Sequence, residues 1–491
     1  MRIKNLNLIK KLLLCLWIFA STQTQAQRQL TLKQVIDIAK GESPSALVAK
    51  NTKNNRYWQY RTFQSNYKPQ LVLRGTLPNF NRAINPITLP DGQVAFINQS
   101  FAQNNLTLGL RQVISATGGA IWVNTGLQRL DILGDNRSTS FLATPAFISF
   151  EQPLFVFNEL LWDKKIEPLR YEESQKKYSE DIEVLSVRAT GLFFDLLLSQ
   201  ITMDLAKKNL ANNDTIYRIA QGRYEMGRIA ENELLQLELG VMNASQQLSQ
   251  AQLDFQNNLL SLKNFLGNRA NLGDFTLVAP EEIPTFEIDE QVALEQAKAN
   301  RERYISFKRR ILESERQVAQ ARGDNGIDIN ITGSIGFTNR AASFGEAYAN
   351  VQNQQIFNIG LQIPILDWGR QKARIQTALA NEEVTKSIVS QDVLAFEQEV
   401  LQKVRQFKIL REQLQVSKRS DEVAQKSYDI AQNRYLIAKI TINELINILK
   451  AKDDAKRQYL TSLRSFWSAY YELRQLTLYD FEKKETIYYQ N

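Results

Sequence analysis

Residues Tyr217–Leu234 read YRIAQGRYEMGRIAENEL, and residues Tyr428–Leu445 read YDIAQNRYLIAKITINEL. The copies share Tyr217/Tyr428, Ala220/Ala431, Arg223/Arg434, Tyr224/Tyr435 and a closing Asn-Glu-Leu, each pair 211 positions apart. Pro153 in ISFEQPLF and Pro364 in IGLQIPIL repeat at the same interval. Self-similarity on this scale sets an architecture before any single motif does. The chain reads as a tandem duplication in which each copy is a long body ending in a short tip.

Working outward, VIDIAK (Val35–Lys40) matches ALEQAK (Ala293–Lys298), and LVLRG (Leu71–Gly75) matches INITG (Ile329–Gly333), both at 258 positions. The first copy therefore carries 47 extra residues between Gly75 and Pro153. Leu30–Tyr67, with a break near Gly41–Pro44, and Glu290–Arg322 read as the helices that precede each β region. Ile327–Phe337 alternates apolar with polar residues, and so does Phe357–Ile363, which is the signature of half-buried strands. Asn339–Gln355 between them reads as an external loop. In the first copy Leu71–Leu77, Leu106–Ile114, Ile121–Arg129 and Phe147–Phe155 are the expected strands, with Thr117-Gly118-Gly119 as a turn. A tilted strand of about 9–11 residues crosses a bilayer with its apolar side outward. A soluble β-sandwich is the alternative, but long helices follow each strand pair.

Helix fills the rest. Pro168 is the last proline before Pro280, and nothing after Gly369 is glycine or proline. Apolar residues at Ile442, Leu445, Leu449, then Tyr459, Leu463, Phe466, Tyr470 and Leu473 recur at coiled-coil-like spacing. Reversals are expected at Met226–Glu231 and Ile437–Ile442. Gly227 supplies positive φ in the first; in the second, Thr441 and Glu444 form a capping-box pattern.

Met1–Ala26 reads as a cleaved secretory signal: Arg2, Lys4, Lys10 and Lys11, an apolar run too short to span a bilayer, then Thr24-Gln25-Ala26. No later run reaches the ~18 apolar residues of a membrane helix, so a membrane crossing falls to β-strands. The 491 residues include no histidine and one cysteine, Cys15. Histidine-based catalysis and thiolate sites are therefore absent, and the chain is read as a non-enzyme without cofactor or metal. The net charge of +8 is spread along the helices, which argues against nucleic-acid binding.

Two copies of helix, strand pair, long helix, tip and returning helix behind a signal peptide resemble the outer-membrane efflux protein family, the TolC-like export ducts. The strand-to-helix junctions at Pro153 and Pro364, with IPILDWGRQ at Ile363–Gln371, and the Arg-Tyr…Asn-Glu-Leu tips carry the resemblance. It implies an α+β membrane protein: antiparallel helical hairpins forming a periplasmic tunnel, and transmembrane strands that complete a barrel in the outer membrane on homotrimerisation. It further implies a periplasmic adaptor protein, an inner-membrane pump of the proton-driven or ABC type, and contact with outer-membrane lipid. The family's usual wall has four strands per chain; the 47-residue insertion departs from this and leaves open whether it joins the wall. The expected division is a signal at 1–26, a first repeat at 27–267 with strands in 71–157 and a hairpin at 158–267, and a linker at 268–289. The second repeat follows at 290–479, with strands in 327–366 and a hairpin at 367–479, then a tail at 480–491. A trimeric coiled-coil surface protein without transport activity is the competing reading.

Carried over by position, the gate residues of the resemblance fall on Glu233 and Glu444, with Asn447 where a second acid would stand. Threefold symmetry would make Glu444 a ring of carboxylates that collects cations. Equally, Glu444 and Glu233 serve as helix-start acids. The adaptor-contact tips fall on Arg223, Tyr224, Gly227 and Arg228, and on Arg434, Tyr435, Ala438 and Lys439. Trp122, Trp162, Trp368, Phe150, Phe155 and Phe157 lie near strand ends, as an interfacial aromatic belt or as core.

Overall fold

The computed structural model describes residues 28–134, 137–267, 275–280, 283–284, 286–437 and 439–489. The expected signal peptide and Ala438 lie outside the described residues, as does part of the expected linker. In chain order the elements begin with β1 (Arg28–Leu30), α1 (Leu32–Glu42), α2 (Pro44–Asn66), β2 (Gln70–Thr88) and β3 (Val94–Ile114). They continue with β4 (Gly119–Ile132), β5 (Ser138–Leu154), α3 (Glu159–Glu225), α4 (Glu231–Leu266), β6 (Phe275–Leu277) and α5 (Glu290–Asn300). The remainder are α6 (Glu302–Gly323), β7 (Asp328–Ala341), α7 (Phe344–Ala347), β8 (Gln352–Gln362), α8 (Arg370–Leu436), α9 (Ile442–Thr477), β9 (Tyr479–Asp480) and β10 (Glu485–Thr486).

The helices repeat in length as well as in sequence. Both α3 and α8 have 67 residues, and both α4 and α9 have 36. A 67-residue helix runs about 100 Å at 1.5 Å per residue. Pro168 sits inside α3 without ending it. The break expected near Gly41–Pro44 falls at Ser43, whose hydroxyl accepts from the Ala46 amide at 3.1 Å and starts α2. Gly41 itself remains helical. Leu30, expected at the head of a helix, belongs to β1, which pairs in parallel with β6. Three residues are too few for alternation to reveal.

The chain divides into two compact units. One holds Lys53–Gln175 and Glu302–Ala395, and its centre is a six-stranded sheet of order β2-β3-β4-β5-β7-β8, every neighbour antiparallel. The strands outrun their expected limits. β2 continues from Leu77 to Thr88, and β7 and β8 take in the two ends of the stretch expected as a loop, to Ala341 and from Gln352, with the four-residue α7 in what remains. These extensions are rich in Asn, Gln and Thr, so their pairing is carried by backbone hydrogen bonds with no apolar alternation to announce it.

The other unit holds the N-terminal residues to Thr52, Lys176–Arg301 and Phe396–Asn491. Its core buries Phe193, Phe194, Leu262, Phe396, Phe466 and Tyr470. Each such side chain contributes about 1.5–3 kcal/mol on burial. The carboxylate of Glu183 is also 0 % exposed. It accepts from Lys40 Nζ at 2.7 Å, from Arg474 Nε at 3.4 Å and from the Tyr489 hydroxyl. Burial alone would push the Glu183 carboxyl up, but the two cations overrule it and hold it below its ordinary value. The C-terminal residues fold back as the β9–β10 hairpin, which delivers Tyr489 to this cluster.

Candidate functional site: an apolar wall and two tips

The sheet segregates its side chains. One row of paired residues runs Leu71–Leu110–Val123–Ile148–Ile335 across five strands, and all five are exposed. Leu73, Leu108, Phe357, Ile359 and Leu361 extend the same face, with Leu73 61 % and Ile359 60 % exposed. The opposite face carries Arg74, Thr107, Asn124, Ser149, Thr332 and Asn358, because successive strand residues point to opposite sides. Soluble monomers rarely expose so continuous an apolar face. An apolar exterior with a polar reverse is the pattern of a membrane barrel wall. Among the described residues no helix is long and apolar enough to cross a membrane.

Glycine lets the wall pack closely. A Cβ at Gly333 would meet the Phe150 ring at 2.3 Å, so that ring lies over backbone where any other residue would displace it. Where strand passes to helix, Asn158 accepts from the Leu161 amide at 3.1 Å in the first half. In the second, Asp367 accepts from the amides of Gly369 and Gln371 at 2.9 and 2.7 Å. Those bonds hold the Asp367 carboxyl below its ordinary value. Beside these caps stand exposed apolar residues, Phe155 and Trp368 among them. Of the other aromatics expected near strand ends, Phe150 is exposed, while Trp122, Trp162 and Phe157 are half-buried.

The tips turn alike. In the first, Gly227 adopts φ +67°, its amide donates to the Tyr224 carbonyl at 2.7 Å, and the Arg228 amide donates to Arg223 at 2.8 Å. In the second, the Lys439 amide donates to the Arg434 carbonyl at 2.9 Å, at the same spacing. This is the bond of a left-handed helix stop. The returning helices start differently. Ala230 before α4 has no side-chain cap, whereas the Thr441 hydroxyl accepts from the Glu444 amide at 3.3 Å. The interaction with Glu444 is therefore through its backbone, and the Glu444 carboxylate is exposed.

Arg223, Arg228, Arg434 and Lys439 are exposed, as are Glu233, Glu444 and Asn447. Tyr224 is exposed and Tyr435 half-buried. Two tip residues escaped the sequence reading. Met226 and Ile437 stand 211 positions apart and are each 61 % exposed. Their signal was available: the same position of each turn holds a large apolar residue.

The outer membrane efflux protein family model matches residues 120–268 and 293–477. No curated protein matches by sequence. Among solved structures, the Campylobacter jejuni CmeC outer membrane channel is similar at TM-score 0.66 and 16 % identity, over 91 % of this chain and 85 % of that one. The Neisseria gonorrhoeae MtrE outer membrane channel, in its open state, gives 0.60 and 15 % over 91 % and 88 %. The Vibrio cholerae outer membrane protein VceC gives 0.62 and 12 % over 91 % and 95 %. With the family model covering both halves and the fold repeated in these channels, the chain belongs to the outer membrane efflux protein family.

Proposed function

We propose that the chain is the outer-membrane exit duct of a multipart efflux or secretion system, passively conducting substrates from a periplasmic tunnel to the exterior. The duct is a homotrimer built from an internally duplicated chain, its strands closing one barrel and its helical hairpins one tunnel. The observation that carries this reading is the apolar row Leu71–Leu110–Val123–Ile148–Ile335, exposed on a sheet whose reverse is polar. An open-edged sheet in hydrocarbon leaves backbone groups unsatisfied at several kcal/mol each, so closure with other strands is required.

The tips dock a periplasmic adaptor through Arg223, Arg228, Arg434 and Lys439 at their rims, with Met226 and Ile437 as apolar knobs and Gly227 shaping the first turn. Glu233 and Glu444 act as the gate, with Asn447 in place of a further acid. The energy comes from an inner-membrane pump, proton-driven or of the ABC type. Purified protein in planar bilayers should give discrete single-channel conductance. A folded trimer that conducts nothing, even as Glu444→Ala, would remove the duct and leave a surface coiled coil.

A further inference from the structure

The structure assigns the inserted hairpin β3–β4 to the membrane wall itself, so that each copy contributes six strands and the seam between copies joins β8 of one to β2 of the next. The inference rests on the trimer of the preceding section and adds to it the width of the wall and the identity of its seam.

The insertion is not an appendage. β3 pairs with β2 from Gln70↔Arg111 to Thr88↔Val94, and β4 pairs with β5 from Ala120↔Glu151 to Ile132↔Ser138. The hairpin thus lies between β2 and β5. A wall without it would lose β2 as well. Its outward residues Leu108, Leu110, Ile121 and Val123 continue the apolar face of the strands on either side.

The two free edges fit a second copy of this chain. Six alternating strands leave β2 and β8 running in opposite directions, so β8 meets the next copy's β2 antiparallel, like every other pair in the sheet. The register follows from the ladders. Gln70 pairs with Arg111, Arg111 with Trp122, Trp122 with Ser149, Ser149 with Ser334 and Ser334 with Ile356. Gln70 opens β2, but its level on β8 is Ile356, six residues short of the strand's end at Gln362.

Setting Gln362 against the next copy's Gln70 brings the two strand ends together. That register places Leu361 opposite Leu71 and Ile359 opposite Leu73, which keeps these four apolar residues on one face. A one-residue slip would set Leu71 and Leu73 against residues of the opposite face, Asn358, Gly360 or Gln362. The stagger is then six residues per copy, or about 18 for three copies with about 18 strands. Equal stagger and strand number tilt the strands by roughly 35° at standard spacings, within the range of natural barrels. A barrel of this strand number encloses a water-filled channel rather than a lumen packed with side chains.

The seam is testable by disulfide trapping, since the only native cysteine, Cys15, lies in the expected signal peptide. Leu73→Cys with Ile359→Cys should give outer-membrane trimers that stay covalently linked on non-reducing denaturing gels and fall to monomers on reduction. Leu71→Cys with Leu361→Cys should do the same, and guards against one pair failing to fold. The comparison is Ile121→Cys with Ile359→Cys, which links only if β2–β3 stands outside the wall and β4 forms the edge. Amine-reactive cross-linking of the unmodified protein reports the oligomer independently. A trimer that lacks both seam links, or that forms the Ile121–Ile359 link, overturns the six-strand wall while leaving the duct. Absence of any trimer overturns the duct reading and the wall with it.

Discussion

Leu110 in the sheet and Leu196 in the helical unit are the same side chain put to opposite uses: the first is exposed in a row of its kind, the second is buried beside Phe193 and Phe194. The helical unit goes further and encloses a carboxylate, Glu183, between Lys40 and Arg474. The sheet carries no charge in the row Leu71–Leu110–Val123–Ile148–Ile335 of its apolar face. Water can account for the core of the helical unit, where Phe193, Leu196 and Phe466 are hidden and Glu183 is paired. It cannot account for the sheet, whose outward face is sorted for a hydrocarbon solvent. The two regions should therefore respond oppositely to the same kind of substitution.

The largest effect is expected at Glu183. Replacing it with alanine leaves Lys40 and Arg474 without their shared partner, at a cost of about 3–5 kcal/mol. Denaturant unfolding of the extracted protein would read this. The pH dependence has a definite sign. The Glu183 carboxyl is held below its unfolded value, so its contribution is present above the ordinary carboxylate range and is lost as pH falls through the folded pKa. Acid should therefore destabilise the native protein more steeply than Glu183→Ala. Equal acid limbs for both would mean the cluster is neutral in the fold.

In the sheet, Leu108→Arg puts a charge on the outward face and should cost about 2–4 kcal/mol at mid-membrane depth. Thr107→Arg, one residue away on the polar face, should be nearly silent. Heat-resistant oligomer in outer-membrane fractions measures both. Equal losses at the two positions would erase the contrast between the regions.

This contrast was readable in the sequence where the period was clean. Ile327–Phe337 alternates strictly, and the 211-position repeat located both helical hairpins. The extensions of β2, β7 and β8 were hidden because polar residues on both faces carry no period. The Glu183 cluster was hidden for a different reason: its members sit at positions 40, 183, 474 and 489, so only tertiary structure unites them. At the tips, shared residues marked where the chain turns. Which side chains the turn exposes depends on the local stop, and so Met226 and Ile437 went unread.

A smaller effect is expected where the tips differ from the regions just compared, since they neither bury charge nor meet lipid. Gly227→Ala forces a side chain into the left-handed region at φ +67° and should cost about 1–2 kcal/mol. The effect should appear as faster hydrogen exchange confined to the first tip. Exchange that spreads along both hairpins would show that the tips are coupled to the buried-charge region.

The smallest effect on stability, and the one that separates gate from cap, concerns Thr441 and Glu444. The hydroxyl of Thr441 holds the amide of Glu444, so the cap resides in Thr441, and Thr441→Ala should cost about 1 kcal/mol. Glu444→Gln keeps that amide and removes only an exposed charge, so it should shift stability by less than about 0.5 kcal/mol. If the carboxylate serves a gate, Glu444→Gln should nevertheless weaken cation preference in bilayer recordings at low salt, with the difference fading as salt rises. Thr441→Ala should leave that preference unchanged. A Glu444→Gln channel with unaltered ion preference and lowered stability would assign the residue to the helix start alone, and the pore would then need its charge selectivity from elsewhere along the tunnel.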